Sequence, residues 1–163
     1  MGISPEEFVR HFPNLYHMAD GGSWEGLQKH GLLSVSALLD LFEVEGKRRR
    51  DIEERRRLSI VEIKHPIHGR AVIRDQKPPA ETALQKCLVG MTPLQWYRYL
   101  NSKAFFWVTK ERVLRLLRAR AYRDTSHCVL TIDTNQLLSK YKDVAELSPI
   151  NSGSAIFNPQ PRG

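Results

Sequence analysis

Cysteine is nearly absent from the chain, which has only Cys87 and Cys128, neither in a CxxC pair nor beside histidines at metal-ligand spacing. That excludes a disulfide framework or a zinc knuckle and leaves both thiols as small hydrophobes. No apolar run approaches the roughly 20 residues needed to span a bilayer, and the polar, acidic start from Met1 to Glu7 lacks the make-up of a secretion signal. A cytoplasmic protein with no membrane partner is the resulting expectation. GxGxxG, Walker, GxSxG and HExxH signatures are all missing, so the common dinucleotide, phosphate-loop, serine-hydrolase and zincin chemistries have no footing. A Cys/His dyad from His127 and Cys128 fails too, because adjacent strand residues point to opposite faces. Internal repeats and low-complexity tracts are also lacking.

The 163 residues carry 41% hydrophobic and 26% charged side chains, an ordinary globular composition that fits a single domain over 1–163. Lys plus Arg outnumber Asp plus Glu by 25 to 18, a net charge of +7. A positive balance favours a polyanionic partner without specifying a fold.

Local patterns give a sequence of short elements. Ser4, Pro5 and Glu7 form a capping box that starts a helix from Pro5 to about His11. Pro13 ends it, and Asn14–Ala19 alternates as a strand stopped by Asp20, Gly21 and Gly22. Ser23 caps a helix over Trp24–His30 that Gly31 closes. Val35–Phe42 shows apolar residues at helical spacing. The most charged stretch follows, a basic helical segment over 43–58 with Glu-to-Arg spacings of three and four. Residues 59–64 and 69–74 read as a hairpin joined by His65–His68, two loop histidines with no third metal ligand spaced to join them. Helices are predicted over 81–88 and, from Thr92 and Pro93, over 94–100. Lys103–Thr109, rich in aromatics, reads as a central strand buried on both faces. Thr109 then caps a helix from Lys110 to about Ala121, His127–Asp133 is a further buried strand, Thr134 caps 135–141, and 148–163 is loop. Interspersed strands and helices with one hairpin imply an α+β fold with a mixed or antiparallel central sheet flanked by short helices.

Three features carry candidate chemistry. His17 places an imidazole on an apolar strand beside a Gly-Gly turn. A histidine so placed serves as a ligand-edge residue or as a hydrogen-bonded core residue, and the pattern leaves both open. Lys47, Arg48, Arg49 and Arg50 with Arg55, Arg56 and Arg57 form a dense basic run, read as a solvated helix face or a nucleic-acid contact. Arg112, Arg115 and Arg118 recur at spacing three on one helix, a row suited to phosphates or simply to solvent.

Taken together, Leu15–Tyr16–His17–Met18 with Gly31–Leu32–Leu33, Asp51–Arg57, Phe105–Val108 with Leu116–Leu117, and Val129–Asp133 resemble ADP-ribosyltransferase-like folds. The likeness is nearest to the DarT type of DNA ADP-ribosyltransferase, bacterial toxins that modify single-stranded DNA using NAD. The chain is also similar to an uncharacterised bacterial family sharing the Tyr16–His17–Met18–Ala19 opening, Ile73–Gln76 and Asn151–Ser154. The resemblance implies NAD as cofactor, His17 on its ribose, Arg56 as the catalytic arginine with Arg57 contacting the cofactor, and Phe106 or Trp107 lining the nicotinamide pocket. It implies single-stranded DNA or RNA as partner, with Arg48, Arg49, Arg50, Arg112 and Arg115 as contacts, and an antitoxin protein. The family's catalytic glutamate sits on a strand after the segment resembled by Asn151–Ala155. Here the sequence ends at Gly163 before such a strand, which implies a truncated enzyme or a diverged copy without transferase activity. A non-enzymatic basic nucleic-acid-binding module is the alternative, and a regulatory interaction domain the third.

Overall fold

The computed structural model describes residues 3–76, 81–148 and 161. The fold is α+β, and among the described residues it contains eight α-helices and two separate two-stranded antiparallel sheets. These residues group into two compact units, one drawn from Met1–Trp24 and Phe105–Leu147, the other from Glu25–Ala104 and Ser148–Gly163.

In the first unit, α1 (Pro5–His11) starts with the expected capping box, Ser4 Oγ accepting from the Glu7 amide and Glu7 returning a carboxylate to the Ser4 amide. β1 (Asn14–Asp20) pairs along its whole length with β4 (His127–Asp133), from Asn14 opposite Asp133 to Asp20 opposite His127. Leu15, Met18 and Ala19 of β1 are buried. Asp20 completes the strand, and its carboxylate accepts from the Gly22 amide to start a 3-10 turn over Gly21–Ser23. Gly21 is needed there: its amide bonds the Ser126 carbonyl at 3.0 Å, and a Cβ would stand 2.2 Å from Ser126 Oγ and 2.8 Å from Ser126 Cβ. α7 (Lys110–Leu117) packs on β1, and its Val113 is fully buried. α8 (Thr134–Tyr141) packs against α1 and β4.

Three expectations need correction in this unit. Lys103–Thr109 is not a central strand: its only ladder contact among the described residues is a bridge between Trp107 and Tyr16, and Phe105 is 45% exposed. Aromatic content signals burial of rings, whereas a strand also requires a neighbour for each backbone group, and here one residue finds one. β4 alternates between exposed and half-buried positions and so is not a buried strand. The cap of α8 is Asp133, whose carboxylate accepts from the Gln136 amide, while Thr134 is buried with its hydroxyl on the Phe12 carbonyl at 2.5 Å.

The second unit holds α2 from Glu25 onward (Trp24–His30 in full), α3 (Val35–Leu41), α4 (Gly46–Glu53), the hairpin of β2 (Val61–His65) and β3 (Gly69–Ile73), α5 (Glu81–Gln85) and α6 (Pro93–Asn101). Its core is Leu39, Phe42, Val44, Ile52, Ile63 and Ile73, with a second cluster of Leu84, Trp96 and Tyr97. Each such side chain contributes roughly 1.5–3 kcal/mol by leaving water.

The basic helix is shorter than 43–58 because Glu43 ends the preceding helix instead of starting this one. Glu43 has φ +52°, its amide bonds the Asp40 carbonyl at 3.1 Å, and the Val44 amide bonds the Leu39 carbonyl at 2.9 Å. This is a Schellman closure with glutamate where glycine is usual, and the accompanying apolar contact is present, since Leu39 and Val44 share the core. At its far end α4 stops at Glu53, and Arg55–Arg57 lie beyond it. The expected loop over 148–163 falls, apart from Ser148 and Pro161, outside the described residues.

Candidate functional site

His17 sits mid-strand in β1, half-buried, opposite Leu130 of β4. Its Nδ1 lies 2.8 Å from the Phe105 carbonyl oxygen, which can only accept, so Nδ1 carries the proton and the lone pair lies on Nε2. The ring is edge-on to Phe106, centroids 6.1 Å apart at 61°. Trp107 is tied to the same strand by paired backbone bonds to Tyr16 of 2.9 and 2.8 Å. The first unit therefore brings the His17 and Phe106 rings together, with the imidazole oriented by the backbone of the aromatic segment, while Trp107 pairs with Tyr16 and so shares the opposite face of the strand. The sequence pattern singles out the ring but not its anchor, because a carbonyl acceptor 88 residues away leaves no local signature.

Arg112, Arg115 and Arg118 belong to the same unit. All three are exposed, α7 turns Val113 inward, and none of the three makes an ion pair among the described residues. Between Lys110 and Asp124 there are six basic and two acidic residues, so this surface is strongly positive.

Arg56 and Arg57 lie in the second unit and have different surroundings. Arg56 lines an open depression of about 470 Å³ with Glu54, Arg55, Leu58 and Glu81. Glu54 is also ion-paired with Arg98. Arg57, by contrast, is buried at 7% exposure. Its Nη1 donates to the Ile52 carbonyl at 2.5 Å and to Asn101 Oδ1 at 3.0 Å, and its Nε donates to the Arg74 carbonyl at 3.0 Å. Asn101 Nδ2 donates to the Glu53 carbonyl at 2.8 Å. Ile52 and Glu53 are the last residues of α4, so Arg57 and Asn101 together satisfy the orphan carbonyls of its C-terminus, where a cation is also favoured by the helix dipole. Burial draws the guanidinium down to about 10, with Asp75 opposing the shift. Asn101 is the last residue of α6, and its buried partnership with Arg57 is visible only in three dimensions.

The remaining basic residues of 47–57 are largely paired within the fold. Arg49 bonds Asp40 at 2.5 Å and Glu53 at 3.0 Å, and both hydrogen bonds hold its guanidinium above the usual arginine value. Asp51 takes Lys47 at 2.7 Å and Arg55 at 3.5 Å, and the Lys47 hydrogen bond lowers its carboxyl. Arg48 donates to the Glu62 carbonyl at 3.1 Å, and Arg50 is exposed.

His65 and His68, expected as loop histidines, are joined by His30. Their rings stack at 4.7 Å and 27°, with His30 edge-on to His68 at 5.1 Å. Stacked rings direct their nitrogens sideways, away from a common point, and no group of three or more His, Cys, Asp or Glu among the described residues could hold a metal ion. Among those residues, too, no helix is long and apolar enough to cross a membrane.

Residues 13–163 match a protein family described as a family of unknown function, DUF7002. The chain belongs to the DUF7002 family. No curated protein and no solved structure matches it. In this DUF7002 chain the match runs from β1 to the end of the sequence and so takes in His17, the aromatic segment and both basic regions.

Proposed function

We propose that this DUF7002 chain is an NAD-binding, ADP-ribosyltransferase-like domain whose acceptor is a single-stranded nucleic acid. The reading is carried by one observation: His17 is anchored by the Phe105 carbonyl and faces Phe106, with Trp107 bridged to the adjacent Tyr16. An imidazole held in one orientation suits a ribose hydroxyl, and an aromatic ring suits a departing nicotinamide. These residues fit the sugar and base half of the cofactor. NAD, when bound, supplies an ADP-ribosyl group activated by the positively charged nicotinamide. The chain's own part, within the first unit, is to orient the ribose through His17 and to pack the base against Phe106. The carboxylate that the resemblance calls for is not among these residues, and Glu146 is the one glutamate after β4 in the sequence.

Isothermal titration of NAD tests the reading. The unaltered chain is expected to bind, with His17→Ala and Phe106→Ala each weakening affinity about tenfold or more, the worth of one oriented hydrogen bond or stacked ring. No heat with the unaltered chain refutes it.

A second reading, a polyanion-binding module without transferase activity, is favoured by the unpaired Arg112, Arg115 and Arg118 row. Its signature is affinity for single-stranded oligonucleotide that falls with salt at about 0.7 per phosphate neutralised, a slope reduced by Arg115→Ala. Salt-insensitive binding rules it out.

A further inference from the structure

The tip of the β2–β3 hairpin is fastened by histidines. His65 Nδ1 accepts from the backbone amides of Ile67 at 3.2 Å and His68 at 3.3 Å, which requires a lone pair there and therefore a neutral ring protonated at Nε2. That Nε2 lies 3.5 Å from the Glu43 carboxylate. The His68 ring stacks on His65 and meets His30 edge-on, and its own Nδ1 is buried without a hydrogen-bond partner. All three rings surround Phe42 at centroid distances of 5.9 to 6.4 Å, and Phe42 is a core residue 3% exposed. From α2, Lys29 Nζ donates to the Ile67 carbonyl at 2.8 Å, and His30 Nε2 lies 3.4 Å from the His68 carbonyl.

The charges around this tip are unevenly distributed. Facing His68 are His65, His30 and Lys29, with Glu43 the one acidic group. Glu62, Lys64 and Arg70 alternate to the other face of the hairpin and pair with one another. A proton on His65 Nδ1 removes the acceptor for two turn amides, and a proton on His68 places a cation against an imidazole stack and a lysine.

We propose that the hairpin tip is a pH-operated latch, closed over Phe42 while His65 and His68 are neutral and released when they take up protons. The latch is independent of the NAD reading, since it stands on residues of the second unit alone. Burial and the neighbouring His65, His30 and Lys29 hold the His68 imidazole below its ordinary value, in keeping with a closed form that resists the proton. A proton that the open form accepts and the closed form resists multiplies the open population by up to about tenfold between about pH 7.5 and about pH 5.5.

Amide hydrogen exchange read by NMR tests this. Between about pH 7.5 and about pH 5.5, protection factors of the Ile67 and His68 amides are expected to fall severalfold, up to about tenfold, while those of the Val113 and Leu39 amides hold. The double variant His65→Asn with His68→Phe keeps a side-chain acceptor for the turn and a ring for the stack, and neither replacement titrates. Its tip protection is expected to be flat with pH. Unchanged protection in the unaltered chain overturns the latch, as does a fall shared equally by Val113 and Leu39, which signals global unfolding. Should the double variant not fold, titration of the His65 and His68 ring shifts against tip protection decides: coincident midpoints support the latch and separate ones overturn it.

Discussion

Arg57→Ala strips three hydrogen bonds from the buried end of α4. The Ile52 and Arg74 carbonyls and Asn101 Oδ1 lose their donor at a site where the side chain is 7% exposed. A buried acceptor left without a partner costs about 1–3 kcal/mol, so three of them imply about 6 kcal/mol at mid-range. Against this stands the removal of a buried charge. Burial draws the guanidinium down to about 10, which corresponds to roughly 3 kcal/mol against its charged form, and alanine abolishes that cost. The net expectation is a loss of about 3 kcal/mol, a large share of the 5–15 kcal/mol of a typical domain. Urea unfolding followed by circular dichroism should show the midpoint falling by about 1–3 M. Arg57→Lys keeps a cation without the planar fork and should fall in between. Asn101→Ala, combined with Arg57→Ala in a double-mutant cycle, should show coupling of about 1 kcal/mol or more. An Arg57→Ala loss below about 1 kcal/mol, or strict additivity with Asn101→Ala, refutes the account of Arg57 as the internal cap of α4.

Gly21→Ala forces a Cβ into Ser126, so a loss of about 1–3 kcal/mol is expected in thermal melts, partly restored by adding Ser126→Gly. Glu43→Gly removes the left-handed penalty of a non-glycine residue and should stabilise by up to about 1 kcal/mol, less the small worth of the exposed contact with His65. Leu39→Ala, at a fully buried position where α3 meets the hairpin core, should cost about 2–5 kcal/mol in the same urea assay. Stability should also decline with acid. The folded His68 value is depressed, so the unfolded chain binds its proton first. The contribution is complete above the ordinary imidazole value of about 6.5 and is lost as pH falls from there through the folded value. His68→Phe should flatten that part of a stability profile.

Much of the local structure is written in short-range chemistry. Ser4, Pro5 and Glu7 specify the start of α1, and Thr92, Pro93 and Gln95 that of α6, because a cap involves residues three apart and needs nothing from the rest of the chain. The hairpin of β2 and β3, the strand β1 and the α+β class follow from alternation and turn residues in the same way, whereas β4 reads as a strand from its apolar content but not with its half-exposed pattern. What misled was pattern shared between states. Lys103–Thr109 has the composition of a buried strand, yet among the described residues only Trp107 bridges to β1. The charged run from Glu43 has helical pairing throughout, yet Glu43 closes the helix before it.

The sequence by itself determined where α1 and α6 start, that β1 alternates, that the chain is basic, and that His17 is an imidazole on an apolar strand. Tertiary structure alone decided what the charged and ring side chains do. It anchored His17 to Phe105, buried Arg57 against Asn101, paired Arg49 with Asp40 and Glu53, left Arg112, Arg115 and Arg118 exposed, and brought His30 to His65 and His68. The reason is physical. Caps and periodicity are set by neighbours within about four residues, whereas a charge or a ring is defined by what the folded chain brings within hydrogen-bonding or stacking distance, often from tens of residues away.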